Sequence, residues 1–246
     1  MTGIDLSGGG RFGCLLLHGL TGTTEEVEPL AKRFHERGWA VAAPLLPGHG
    51  TRVEDLRRAT LGDWFGAALA AWDRLGTRAG ESRFVAGVSM GGLLTLHLAH
   101  ERAREVAAIA VLAPALALVS QRSAEIALRL ARLPWLPPFL EITPKGRTDR
   151  VTAAYDRIAT RAVGELVKLQ RIVRTELPDI HVPTLILEGA LDQTVAAGTA
   201  AAIERALGAP VKRRRIFDDG RHVLTEGSCA PAVLDEVEAF FRGAIS

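Results

Sequence analysis

Val85-Ala86-Gly87-Val88-Ser89-Met90-Gly91-Gly92 decides how the rest of the chain is read. The run 83–88 ahead of it is short and apolar, with the character of a strand. The run 93–99 after it is apolar and free of helix breakers, so it suits a buried helix. Between them stand Ser89, Met90 and two glycines, and a third glycine, Gly87, lies near the end of the first run. Gly87 and Gly91 lie two residues before and two after Ser89, the Gly-x-Ser-x-Gly spacing of a nucleophile elbow. A serine at the tip of a sharp strand-to-helix turn takes a strained backbone, and side chains two positions either side would collide there. The strain aims the hydroxyl outward, and the new helix points its free N–H groups at the same spot. The plainer alternative is a glycine-rich turn with a surface serine. The apolar strand before and apolar helix after argue against it.

Working outward, the elbow belongs to a regular alternation. Upstream, 12–17 reads as a fully buried strand, followed by the loop His18-Gly19-Leu20-Thr21-Gly22. Thr23 and Glu26 form a capping-box pattern. Val27, Leu30, Ala31 and Phe34 keep helical spacing after it, and Gly38 ends the helix. Residues 39–43 are the next strand, stopped by Pro44, and 47–51 form a loop. A helix opening at Asp63 buries Trp64, Ala68, Ala71, Trp72 and Leu75. Downstream of the elbow helix, 106–113 is a strand. The order β-α-β-α-β-α-β with all-apolar strands predicts a parallel sheet with helices on both faces. In such open sheets the site lies at the carboxyl ends of the strands. Ser89, the His18 loop and the end at Pro114 all fall there.

The alternation breaks over 115–179, where no strand is evident. Residues 123–133 are helical and amphipathic, 134–140 form an apolar, proline-rich turn, and 162–176 are a second helix. A helical insertion after a strand's carboxyl end sits over the site, so it reads as a cap. Leu136, Phe139, Leu140 and Ile142 are candidates to line an apolar acyl pocket. The competing reading has them only fastening the cap to the sheet. The domain organisation is thus a core of 1–114 and 180–246 with a helical cap of 115–179. In the second half of the core, 184–188 and 211–217 are strands, and 195–207 is a helix weakened by Gly198. Residues 231–241 are a last helix. Lys212 to Arg215 resembles a basic patch, but a charged edge strand that resists pairing accounts for it better.

Composition narrows the function classes. At 246 residues the chain suits one domain with an insertion. A net charge of +2 argues against nucleic-acid binding as the main role. Cys14 lies in an apolar strand and reads as a buried thiol rather than half of a disulfide. The first ten residues lack the basic segment and apolar core of a signal peptide, and the longest apolar run, 106–119, is too short to span a bilayer. The expectation is a cytoplasmic protein without an integral membrane segment.

A serine hydroxyl needs a base, commonly histidine, and a carboxylate to orient that base. Of the seven histidines, His18 and His49 are loop residues beside glycines and read as structural. His97 and His100 lie on the helix behind Ser89, and His35 and His181 read as superficial. His222, in the short loop after the last strand, is placed to swing over the elbow. Asp192, just past the penultimate strand, is the favoured carboxylate. Asp218 and Asp219 compete, but lie so near His222 in sequence that they would point along the loop. The order Ser89, Asp192, His222 is that of α/β-hydrolases. The oxyanion donors would be the backbone N–H groups of Met90 and Leu20.

Residues 15–23 (Leu-Leu-Leu-His-Gly-Leu-Thr-Gly-Thr), 47–51 (Pro-Gly-His-Gly-Thr), 62–64 (Gly-Asp-Trp), 87–92 (Gly-Val-Ser-Met-Gly-Gly), Leu191-Asp192 and Arg221-His222-Val223 occur in a familiar order. With these motifs the chain resembles the small bacterial carboxylesterases and monoacylglycerol lipases of the α/β-hydrolase superfamily, nearly throughout and least in the cap. The resemblance implies a mostly parallel sheet of seven or eight strands, a small helical cap, and esterase activity without metal or cofactor. By position it implies the triad Ser89, Asp192 and His222 and the oxyanion pair Leu20 and Met90. Where the family commonly has phenylalanine, this chain has Leu20. The donor is a backbone group and survives the change, but the acyl pocket is reshaped.

The expected function is hydrolysis of short- to medium-chain esters, including monoacylglycerols, through an acyl-enzyme. The partner is a small-molecule ester, with no nucleic acid, and the chain is a monomer or homodimer. Two alternatives stand beside it. One is other chemistry on the same fold: a thioesterase, a carbon–carbon bond hydrolase or a cofactor-free haloperoxidase. The other is a non-enzymatic ligand-binding module, against which the intact triad pattern counts.

Overall fold

A computed structural model describes residues 2–80, 82–130, 138–141, 155 and 157–244. Nine strands and eight α-helices are found among them. The strands are β1 (Ile4–Leu6), β2 (Phe12–Leu17), β3 (Ala40–Ala43), β4 (Ser82–Val88), β5 (Ala108–Leu112), β6 (Phe139–Glu141), β7 (Arg157–Ala159), β8 (Thr184–Gly189) and β9 (Lys212–Phe217). The helices are α1 (Glu28–Glu36), α2 (Val53–Leu56), α3 (Leu61–Gly76), α4 (Met90–Glu101), α5 (Gln121–Leu130), α6 (Thr160–Glu176), α7 (Thr199–Ala206) and α8 (Ala230–Gly243). Seven strands form one sheet in the order β1-β3-β2-β4-β5-β8-β9, parallel except for β1. After β3 the chain crosses back over β2 to reach β4. The order therefore reverses between β2 and β4, and the ends of those two strands carry the His18 loop and Ser89. A crevice opens at such a switch point because the flanking connections leave in opposite directions.

Period-2 alternation divides every central strand between two cores. Leu15 and Leu17 of β2, Val85 of β4 and Ile109 and Val111 of β5 face α3, α4, α6 and α7. Cys14 and Leu16, Phe84 and Ala86, and Ala108 and Ala110 face α1 and α8. Both faces are buried, which is why the strands read as unbroken apolar runs. The five α3 residues expected to be buried are buried. Both cysteines are free, buried thiols. β9 is an edge strand, with Arg213 and Arg215 paired to Glu236 and Arg214 to Glu188 and Glu204.

The structure corrects three expectations and adds a strand that completes the expected seven. The segment 115–179 does contain strands, since β6 and β7 pair antiparallel, Phe139 opposite Ala159. β1 adds a short antiparallel strand beside β3. The helix expected over 195–207 begins only at Thr199, because Gly198 takes φ 81° and stands outside it. Glu26 does not complete a capping box. Its carboxylate accepts the Gly19 N–H at 2.8 Å, while Thr23 accepts from Glu25.

The segment after β5 is fastened to the core by polar side chains. The Tyr155 hydroxyl donates to the Gly48 carbonyl at 2.8 Å and accepts the Thr51 N–H. Gln170 donates to the Ala115 carbonyl at 2.7 Å, and Glu165 accepts the Leu61 N–H. His97 Nδ1 meets both carboxylate oxygens of Glu176 at 2.9 Å, pinning α4 to the far end of α6.

Candidate active site

Ser89 stands between β4 and α4 with φ 56° and ψ −113°. That region costs a non-glycine residue about 1–3 kcal/mol, so the surroundings must over-determine it. They do. The Ser89 N–H donates to the Leu112 carbonyl at 2.9 Å, and its carbonyl accepts the N–H groups of Gly92, Leu93 and Ala115. The flanking glycines fit because nothing else could. A Cβ on Gly87 would lie 2.2 Å from the Gly91 carbonyl oxygen, and one on Gly91 2.1 Å from that of Leu17. Among the described residues, the non-glycine positions with positive φ are Thr21, Ser89 and Ala113. All three follow strands at the carboxyl rim of the sheet, so backbone strain is concentrated there.

The His18-Gly19-Leu20 turn lies against the serine. A Cβ on Gly19 would be 3.2 Å from Ser89 Cβ, so glycine is what lets the two segments touch. Met90 is the first residue of α4, and its N–H therefore has no carbonyl within the helix to bond. Leu20 is partly buried against the main core.

Asp192 and His222 meet. His222 Nδ1 is 2.8 Å from Asp192 Oδ2. The other carboxylate oxygen accepts the N–H groups of Thr194 and Val195 at 2.7 and 3.0 Å. Burial pushes the Asp192 carboxyl up, but the hydrogen bond and charge of His222 and the two amide donors outweigh it, and the net shift is downward. An ionised carboxylate only accepts, so the Nδ1 that faces it carries a proton. Of the competing carboxylates, Asp219 bonds Ser228 and Asp218 is exposed. The Asp192 and His222 loops are stitched together by the Leu191 N–H on the Gly220 carbonyl at 2.9 Å. A Cβ on Gly189 would lie 2.3 Å from that same carbonyl oxygen. Backbone bonds from Ala115 to Ser89, from Val119 to Thr194 and from Ala196 to Ala117 tie the β4 and β8 exits through the segment after β5.

Two other histidines, His18 and His49, are buried and bonded to the backbone. His18 is fully buried, its Nε2 accepts the Leu46 N–H at 3.0 Å, and Nδ1 therefore donates to the Gly19 carbonyl. Burial and the neighbouring His49 push its pKa down to about 3. His49, buried beside it, is pushed down by burial to about 4. For metal ligation, His97, Glu101 and Glu176 bring donor atoms within 4.8 Å of one another at the far end of α4, where His97 Nδ1 is already bonded to Glu176. Of the expected cap-pocket residues, Phe139 packs against the main core with Arg157 over its ring. Leu140 lies in β6, with its backbone alone described, and Leu136 and Ile142 fall outside the described residues. The sequence spacing marks Glu26 only as a helix cap. The signal available was its place seven residues after Gly19, inside the first βα loop.

Residues 11–227 match the sequence family described as serine aminopeptidase, S33. The chain belongs to this family. It is 31% identical over 239 residues to the thermostable monoacylglycerol lipase of Bacillus sp. strain H-257, covering 94% of this chain and 91% of that one. It is 25% identical over 219 residues to a carboxylesterase of Bacillus subtilis strain 168, covering 88% and 87%. Among solved structures, one described with LipS and LipT, two metagenome-derived lipolytic enzymes, superposes with a TM-score of 0.90 at 28% identity over 98% of this chain and 97% of that one. The monoacylglycerol lipase of Paleococcus ferrophilus superposes at 0.83 with 19% identity over 98% of both chains, a likeness of fold. The protein is a hydrolase of the α/β-hydrolase fold, as its motifs predicted. Among its described residues no helix is long and apolar enough to cross a membrane.

Proposed function

We propose that this hydrolase cleaves carboxylic esters of short to medium chain, monoacylglycerols among them, through an acyl-enzyme on Ser89. His222 Nε2 takes the Ser89 proton as the hydroxyl attacks the ester carbonyl, and returns it to the departing alcohol. Asp192 holds the imidazole in the required tautomer and stabilises the imidazolium that forms. The backbone N–H groups of Met90 and Leu20 receive the oxyanion, and water, activated by the same histidine, releases the acid. Residues 115–179 serve as the cap, with Leu136, Phe139, Leu140 and Ile142 as its acyl-facing candidates. The observation that carries this reading is the 2.8 Å contact between His222 and Asp192 at the rim where the strained Ser89 stands. The relatives support the ester and glycerol parts, since two of them are a monoacylglycerol lipase and a carboxylesterase.

Replacing Ser89 with alanine is expected to abolish nitrophenyl butyrate hydrolysis while the circular dichroism spectrum and melting profile stay those of the wild type. Hydrolysis at the wild-type rate by that variant contradicts the proposal. A nitrophenyl-ester chain-length series run beside glycerol monoesters then fixes the acyl and alcohol preferences.

A further inference from the structure

We propose that Glu26 is a positioning residue of the active site, holding the Gly19-Leu20 turn against Ser89 with its carboxylate and the His222 loop with its backbone carbonyl. The inference rests on the reading of Ser89 as nucleophile and Leu20 as oxyanion donor. Glu26 is only 6% exposed. A carboxyl group is among the costliest side chains to bury, and it persists there only where it is well bonded. Its Oε2 accepts the Gly19 N–H at 2.8 Å. The same oxygen lies 3.2 Å from where a Gly19 Cβ would be, and Ser89 Cβ lies 3.2 Å from that point too. Gly19 is thus held between the carboxylate and the serine. The turn also wraps the carboxylate: a Cβ on Gly22 would fall 2.1 Å from Glu26 Oε1, and the Gly22 N–H closes onto the Gly19 carbonyl at 3.2 Å. Between them Thr21 sits at φ 68°.

The Glu26 backbone makes the second contact. The buried hydroxyl of Thr225, three residues past His222, donates to the Glu26 carbonyl. One residue therefore touches the oxyanion turn directly, the serine through Gly19, and the loop of the base. This explains why the Thr23-x-x-Glu26 pattern does not close into a capping box. The carboxylate has been diverted from its own helix to the turn before it. By taking up the Gly19 N–H it fixes the peptide before Gly19, while the Gly22 N–H and His18 Nδ1 on the Gly19 carbonyl hold the peptide after it, whose N–H is that of Leu20. Oxyanion donors act through preorganisation, so a turn that loosens loses rate rather than substrate affinity.

The test uses the full chain and the variants Glu26→Ala, Glu26→Gln and Glu26→Asp with nitrophenyl butyrate. Since losing one oxyanion donor costs about 10²–10³ in kcat, loosening one is expected to lower kcat of Glu26→Ala about 10- to 100-fold with KM within about twofold. The Ki of a trifluoromethyl ketone, which forms the tetrahedral adduct on the serine, rises by the same factor. Glu26→Gln, whose amide oxygen reaches the same N–H, restores kcat to within about threefold of wild type. Glu26→Asp, one methylene short, is slower than Glu26→Gln. Should Glu26→Ala fail to fold, the order of the Gln and Asp variants decides alone. Wild-type kcat in a folded Glu26→Ala, or Asp equal to or faster than Gln, overturns the proposal. Labelling every protein with a fluorophosphonate separates the two failures. Absence of an adduct on Ser89 in the wild type sinks the nucleophile reading, whereas normal labelling with an unaffected kcat sinks only the role of Glu26.

Discussion

His18 and His49 lie ring to ring, 4.8 Å between centroids, under the loop that follows β3. His49 Nδ1 faces the Leu46 and Pro47 carbonyls, and its Nε2 is buried without a hydrogen-bond partner among the described residues. A second proton on either ring would be desolvated and would face the other ring, so both stay neutral until the pH reaches about 3 and about 4. In the unfolded chain they take up protons near 6.5. Between those values the unfolded state binds more protons than the folded one, so stability is full above about pH 6.5 and falls as the pH falls below it. At pH 5 the loss for the pair is on the order of 2–4 kcal/mol. Asp192 contributes nothing between pH 6.5 and 5, because its lowered pKa acts only from the ordinary carboxylate range downward. Urea unfolding at pH 7.5 and pH 5 checks this: the midpoint drops at pH 5, and His49→Gln shrinks the drop. Equal midpoints would contradict it.

At the scale of elements, α8 is docked by one side chain more than any other. The Phe241 ring stacks on Phe84 of β4 at 4.7 Å and lies within 5.9 and 6.5 Å of Phe34 and Trp39. Phe241→Ala empties the centre of this stack and is expected to cost about 3–5 kcal/mol in urea unfolding. The folded fraction keeps wild-type kcat, because the stack lies on the sheet face opposite α4. A loss below about 1 kcal/mol would show that the helix is held elsewhere. The elements themselves were largely legible. Long apolar strands and the 3.6-residue spacing of α1 and α3 announce themselves, because two-sided burial leaves few polar residues to confuse the period. The misses are short. β1, β6 and β7 have three residues each, too few to carry a period, and their place is fixed by partners distant in sequence.

For the whole molecule, the chain order of serine, aspartate and histidine and the carboxyl-end rule pointed to one rim, and the contact of Asp192 with His222 lies there. What the sequence did not disclose is support from a distance. Glu26 turning back to Gly19, Tyr155 reaching Gly48 and Gln170 reaching Ala115 are side chains that bond backbone on another element. Helical or strand periodicity does not encode such a bond, since its partner is a backbone group outside the element that carries the side chain. The central claim is that Ser89 is activated by His222. The most direct measurement is the rate at which a fluorophosphonate modifies the protein, read as intact mass with the adduct mapped by peptide. One adduct per chain on Ser89 is predicted, forming at least about a hundredfold more slowly in His222→Ala. An adduct on another residue, or labelling of Ser89 at the wild-type rate without His222, would contradict the account.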